Sequence, residues 1–235
     1  VDLYMEGHFE DNKTTSYNVI GEFVGAEKPD EIVLLGGHLD SWDSGPQTGA
    51  NDDLSGFYVC YEAVRVLIKL GLRPRRTLRV VGWSGEEQGF PNKGANAYAE
   101  RHKDELAKHS LAFESDEGVT KLWGFGINSS QKAHSTLNFM VKLMEDYDHN
   151  QLLENQGTAV DTKPLYLAGI PQMRNLLGDP RKPNYDESYF YYHHSAADTM
   201  SILNKDDMDS NVIGISQMMF AAADLPKILP RNDSD

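Results

Sequence analysis

The sequence predicts an α/β fold in which helices layer against a sheet. Three observations carry the prediction. Apolar runs of strand length alternate with segments of helical apolar spacing. Of the 235 residues, 40% are hydrophobic and 10% aromatic, a globular composition able to bury a substantial core. His, Asp and Glu gather at the ends of predicted strands, where open α/β sheets build their sites.

Taken in order, Tyr17–Gly25 and Glu31–Gly37 read as strands, with Pro29-Asp30 as the turn between them. From Leu54 to Leu70, Phe57, Cys60, Tyr61, Val64, Leu67 and Ile68 follow helical spacing, and Gly71 and Pro74 stop that helix. Thr77–Trp83 reads as a buried strand. A helix is expected from Gly94 to Lys108, with Ala95, Tyr98, Ala99, His102 and Leu106 on one face. Ser110–Glu114 is a short strand. Ala133, Leu137, Met140, Met144 and Tyr147 step by four and three, the pattern of a third helix. Leu165–Leu167 and Gln172–Leu176 read as short strands around the turn Ala168–Pro171. The last helix carries Met208, Val212, Ile215, Met219 and Ala222, with Asn204 as N-cap and Asp207 three residues on. These Met and aromatic stripes are core, not cofactor contacts. Between Gly178 and Thr199 periodicity is lost, yet aromatic residues crowd from Tyr185 to Tyr192. Ordered loops of that length often carry function.

Charge and cysteine narrow the field. The chain carries 22 Lys and Arg against 36 Asp and Glu, a net charge of −14, which argues against nucleic acid as partner. No apolar run approaches the ~18 residues of a membrane span. The single Cys60 excludes a disulfide scaffold and a cysteine-based zinc cluster. No charged and apolar leader follows Val1, so no signal peptide is expected. Sequons stand at Asn12, Asn128 and Asn232.

The strand-end clusters are His38-x-Asp40, Asp52-Asp53, Glu86-Glu87, Asp116 and His193-His194. Imidazole and carboxylate without thiolate suit a catalytic zinc site. Two closely spaced metals need a bridging carboxylate. Of two adjacent glutamates, one can bind metal while the other serves as general base. Each element alone is a weak signal, and only the joint pattern is informative. If these are scattered surface charges instead, the side chains should lie more than about 10 Å apart, far beyond the ~2 Å of a ligand bond.

Five blocks in order, Gly36–Ser41, Gly49–Gly56, Gly85–Gly89, Glu114–Asp116 and His194–Thr199, resemble the M28 family of co-catalytic zinc peptidases. Asp161 followed by Ala168–Pro171 resembles a sixth. The similarity runs from about residue 17 to 225 and is strongest to a carboxypeptidase branch. It implies a three-layer α/β/α fold with a mixed central sheet, of the zinc-peptidase (phosphorylase/hydrolase-like) type. It implies a single metallopeptidase catalytic domain over residues 1–235, lacking an N-terminal region that full-length relatives carry. The implied cofactors are two Zn²⁺ per chain. Asp52 would bridge them, His38 and Asp116 would complete one, and Glu87 and His194 the other. Glu86 would be the general base. The carboxylate of Asp40 would accept a hydrogen bond from His38 and orient its ring. The Asp52–Asp53 peptide would be cis.

The implied activity is hydrolysis of dipeptides or short peptides by an exopeptidase of carboxypeptidase or dipeptidase type. The implied setting is secreted or lysosomal, and a homodimer is a further expectation. An aminopeptidase of the same family, or a single-zinc glutaminyl cyclase-like acyltransferase, stays open. A non-catalytic binding domain would have lost ligands that this sequence keeps. Arg174, Arg181 and Lys182 are candidates for holding a substrate's terminal carboxylate, with solvated surface charge as the plain alternative. Tyr185, Tyr189, Tyr191 and Tyr192 are candidate substrate contacts. The spacing from His38 to Asp52 includes extra length around Pro46-Gln47, expected to lie in a loop.

Overall fold

The computed structural model describes residues 2–4, 6, 14–43, 45–89, 92–144, 146–157, 159–182 and 187–232, the side chains of 187 and 188 excepted. A seven-stranded mixed sheet forms the middle layer. Its strands are β1 (Val19–Phe23), β2 (Lys28–His38), β3 (Arg76–Trp83), β4 (His109–Glu114), β5 (Gly124–Asn128), β6 (Gln151–Glu154) and β7 (Gln172–Leu176). The spatial order is β1-β3-β2-β4-β7-β5-β6. Strands β3, β2, β4 and β7 run parallel, β1 is antiparallel to β3, and β5 is antiparallel to β7.

Alternation along β2 explains the layering. Val33 and Leu35 face one side with Leu78 and Val80 of β3, while Ile32 and Leu34 face the other with Val81 and Trp83. On the first side lie α1 (Ser55–Lys69), α3 (Gln131–Lys142) and α6 (Lys205–Asp224). On the second lie α2 (Lys93–Arg101) and α4 (Lys163–Leu167). A short α5 (Glu187–Phe190) interrupts the long loop before α6. Both faces of the parallel strands are covered, as parallel sheets require. The Asn204 side chain accepts the Asp206 and Asp207 amides, capping α6 as its sequence position predicts. At the far end of α6, the buried Arg76 donates to the carbonyls of Ala223 and Leu225 and pairs with Glu31 at 2.7 Å. The helix's terminal carbonyls are thereby satisfied.

Four expectations need correction. Pro29-Asp30 is not a turn but the start of β2, at a register shift between Lys28 and Ile32. A bulge tolerates a residue without an N–H. The helix after Asn92 ends at Arg101, because His102 turns to stack on Tyr98 and bond Glu105. The third helix ends at Lys142, leaving Met144 and Tyr147 in the turns beyond it. Leu165–Leu167 is helix, not strand. Pro164 sits in the first turn of α4, where its missing N–H costs nothing, and the Glu114 carboxylate accepts the amides of Val160, Asp161 and Thr162 ahead of it. The extra length around Pro46-Gln47 does lie in a loop.

Candidate metal centre

The connections leaving β2 and β3 pass to opposite faces of the sheet, and β4 then adds on the other side of β2. That reversal opens a crevice at the strands' carboxyl ends. His38 ends β2, the turn after β3 carries Glu86 and Glu87, and Asp116 lies two residues past β4. Asp52 sits in the wide turn Ala50–Leu54 that enters α1.

These groups converge. His38 Nε2 lies 3.1 Å from Asp52 Oδ1 and 3.2 Å from Asp116 Oδ1. His194 Nε2 lies 3.1 Å from Glu87 Oε2 and 3.5 Å from Asp52 Oδ2. Candidate ligand atoms fall into three sets, each within 4.8 Å: His38–Asp52–Asp116, Asp52–His193–His194 and His38–Glu86–Glu87. Asp52 belongs to two of them. Scattered surface charge is therefore excluded as an account of these residues.

Surrounding groups fix the arrangement. The Asp52–Asp53 peptide is cis. Asp198, fully buried, accepts the amides of Asn51 at 2.7 Å and Asp52 at 3.1 Å. The Asp53 carboxylate accepts the His38 amide at 3.0 Å and lies against Gly37 and Gly56. A Cβ at Gly37 would come 2.3 Å from Asp53 Oδ2, and one at Gly56 2.2 Å from Oδ1, so only glycine fits at either place. His194 has φ +53° and stacks between Trp42 and His193, with ring centroids 4.1 and 3.6 Å away.

Asp40 departs from its expected role. The His38 ring donates from Nδ1 to the Asp40 backbone carbonyl at 2.8 Å, while the carboxylate stands 4.0 Å away. That donation fixes the ring with Nε2 turned toward Asp52 and Asp116. The Asp40 carboxylate instead accepts the amides of Gly85 at 2.9 Å, Glu86 at 3.3 Å and Glu87 at 3.2 Å. Consecutive amides in a turn attract a carboxylate more strongly than one imidazole N–H already served by a carbonyl.

The electrostatics are those of crowded, buried carboxylates. Burial pushes Glu87 up to about 8 and Asp116 up to about 7. Burial also raises Glu86, and raises Asp53 with help from Asp116. For His38, burial lowers the pKa, but hydrogen bonds that the ring donates to Asp116 and Asp52 outweigh it and hold the ring above its ordinary value. Asp52 is held below its ordinary value because the His38 bond overcomes burial. Asp52 Oδ2 and Glu87 Oε1 are buried without a hydrogen-bond partner. Such groups ask for cations.

A cleft of about 290 Å³ opens over the cluster. Asp52, Glu86, Glu87, Asp116, His193 and His194 all line it. Arg174 is the one basic side chain among the described residues lining it, pairing with Glu117 and donating to the Gln156 carbonyl at 2.7 Å. Arg181 and Lys182 lie outside the cleft lining, and Arg181 is tied to Asp179. Tyr189 lines the cleft and hydrogen-bonds Asp52, while Tyr191 is exposed and Tyr192 lines a smaller neighbouring cavity. Tyr185 and Asn12 lie outside the described residues. The Asn128 and Asn232 side chains bond the backbone of Gly157 and Ile170. Sequence reasoning named Asp53 and Asp198 only inside larger motifs, without a role, and named Arg174 without its partner Glu117. The signal for the first two was their place as acidic neighbours of Asp52 and Thr199.

An open α/β sheet with imidazoles and carboxylates gathered at its strand ends defines the class, a protein with a hydrolase-type candidate metal centre. The chain belongs to peptidase family M28, whose profile matches residues 18–219. It is 36% identical to carboxypeptidase Q of Homo sapiens over 219 residues, 93% of this chain and 44% of that protein. A crystal structure of a peptidase M28 precursor from Shewanella amazonensis matches with TM-score 0.82 and 34% identity, over 94% of this chain and 48% of that one. A zinc aminopeptidase from Bacillus subtilis shares the fold with TM-score 0.67 and 22% identity, over 93% of this chain and 53% of its own. The chain spans less than half the length of the curated relatives at 36% identity. Among the described residues no helix is long and apolar enough to cross a membrane.

Proposed function

We propose that the chain is a two-zinc exopeptidase that hydrolyses dipeptides or short peptides with a free carboxyl terminus. The carrying observation is that two sets of candidate ligands share Asp52. On this reading His38 and Asp116 hold one zinc, Glu87 and His194 the other, and Asp52 both. The donor set fits, with two imidazoles, three carboxylates and no thiolate. The orphaned oxygens of Asp52 and Glu87 support it further, since each lacks a partner that a cation would supply. When bound, the zinc ions supply Lewis acidity to the scissile carbonyl and the attacking water.

The protein's own groups do the rest. Glu86 takes the proton of the attacking water and passes it to the leaving amine. Burial raises its pKa above the ordinary carboxylate value, the direction that suits both transfers. On this reading the Tyr189 hydroxyl, beside Asp52, donates to the developing oxyanion. Arg174, on the wall of an otherwise acidic cleft, offers a guanidinium fork for the terminal carboxylate.

A panel of free dipeptides, N-blocked dipeptides and aminoacyl amides, assayed with zinc and with Glu86→Gln as control, tests the reading. Free dipeptides should be cleaved, and the Gln variant should bind zinc but lose kcat by about 100-fold or more. Activity on amides but not on free dipeptides overturns the carboxyl-end reading in favour of an aminopeptidase. One zinc per chain by elemental analysis overturns the two-metal reading.

A further inference from the structure

Trp42 stands in an unexpected place for its type. Large aromatic side chains ordinarily fill cores, yet Trp42 is 46% exposed, in the loop that follows β2. It belongs to neither core cluster and lines neither cavity. What its ring meets is His194, face to face, with centroids 4.1 Å apart and planes 21° from parallel. Its one polar group, the indole N–H, hydrogen-bonds the Glu87 carboxylate. One side chain thus touches both His194 and Glu87, whose Nε2 and Oε2 stand 3.1 Å apart.

The imidazoles of His38 and His194 are held by different means. His38 is fixed at its edge, by the bond from Nδ1 to the Asp40 carbonyl. Among the described residues no hydrogen bond reaches His194 Nδ1, and the ring is fixed on its faces, between Trp42 and His193. The backbone beneath it has φ +53°, a region that residues with a side chain seldom adopt and that persists where neighbours hold it. The same two loops are tied a second time, where the Thr48 amide and hydroxyl donate to the Asp198 carbonyl at 3.0 and 3.1 Å.

We propose that Trp42 is a positioning residue for one half of the metal centre, holding His194 and Glu87 in the geometry that binds a metal ion. The inference rests on the pairing of those two groups in the proposed function. Face contact fixes the plane of an imidazole without occupying either of its nitrogens. An indole face also favours the positive charge that the imidazole takes on when it binds a cation. The N–H orients the carboxylate without bringing a full charge that would compete with the ion. Neither contact is made to His38 or Asp116, so the effect is confined to one ion. Trp42 lies outside the cleft lining, so it acts through these two groups and not on substrate.

Isothermal titration of the chelator-stripped chain with Zn²⁺ tests this without an activity assay. Two binding steps are expected, and His194→Ala identifies one of them by abolishing it. Trp42→Leu, which removes both the face and the N–H, should weaken that step by between about 10- and 100-fold and leave the other within about 2-fold. Trp42→Phe keeps a face without the N–H and should fall in between. Indole emission supplies a second readout. The parent should respond at the step that His194→Ala abolishes, and Trp42→Phe should not. Because Trp42 is half exposed, circular dichroism should be unchanged in both variants. Equal weakening of both steps overturns the proposal, since it marks a general loss of structure. So does a Leu variant that binds both ions as the parent does, a Phe variant no better than Leu, or an emission response that survives in Trp42→Phe. A parent that binds one zinc refutes the two-metal reading. The role of Trp42 then stands if Trp42→Leu weakens that single step, and falls if it does not.

Discussion

Replacing Asp40 by alanine separates two ways of supporting a metal site. The carboxylate accepts three consecutive amides, those of Gly85, Glu86 and Glu87. The side chain is 22% exposed, so water recovers part of what is lost. At about 1 kcal/mol net per bond, the turn carrying Glu86 and Glu87 loses up to about 3 kcal/mol of support. If that support is spent on holding Glu86, kcat falls by between about 10- and 100-fold. Asp40→Asn keeps a carbonyl oxygen for part of the set and should fall in between. The His38 ring should not turn, because the Asp40 backbone carbonyl, not the side chain, takes its Nδ1 proton. The assay is kcat and KM on a dipeptide, zinc content, and the His38 tautomer by nitrogen NMR. Activity of Asp40→Ala within about 2-fold of the parent refutes the reasoning. A changed tautomer with an intact Glu86 turn refutes it from the other side.

Other perturbations probe the scaffold. His109 is buried, donates from Nδ1 to the Glu105 carbonyl and accepts the Tyr98 hydroxyl at Nε2 at 2.8 Å, and burial lowers its pKa to about 4. Between about 6.5 and about 4 only the unfolded chain takes up that proton, so stability falls as pH falls, by about 3 kcal/mol in all. Urea titrations across that window should show His109→Gln losing this part of the slope. Chelated protein should behave oppositely near the site. Asp116 keeps its proton up to about pH 7 in the folded state but not when unfolded, so stability falls as pH rises toward 7. Zinc should abolish that fall in thermal melts. Gly56→Ala places a Cβ 2.0 Å from the Ser115 carbonyl and 2.2 Å from Asp53, and should cost several kcal/mol, at least about 3, in denaturant titration.

The parallel heart of the sheet was legible because β2, β3 and β4 each carry a short apolar run buried on both faces. The helix α1 was legible because its apolar stripe ran up to the stop signals Gly71 and Pro74, and α6 because a stripe and the Asn204 cap agreed. Strands β5 and β6 were not. Gly124 and Gly126 look like loop residues, yet they sit in β5 because a Cβ there would strike Gln151 and the Gln156 carbonyl. β6 is only four residues long at the sheet edge. α4 hid as Leu-Tyr-Leu, a run too short for periodicity to decide. At the site, residue identity pointed to His38, Asp52, Glu86, Glu87, Asp116 and His194. It could not say whether Asp40 would act through its side chain or its carbonyl. Nor could it foresee that Arg174 and Glu117, far apart in sequence, face the same cleft.

That last pair has a consequence for turnover. Arg174 is already paired with the Glu117 carboxylate. On the proposed reading, a substrate's carboxylate must evict a resident competitor carried by the protein itself. Weakly held acids, including the released amino acid, should fail to do so and leave quickly. The internal carboxylate would then act as a threshold, trading some grip on the substrate for freedom from product inhibition. Glu117→Gln would lower that threshold for both, and the enzyme's tolerance of accumulated product would fall with it.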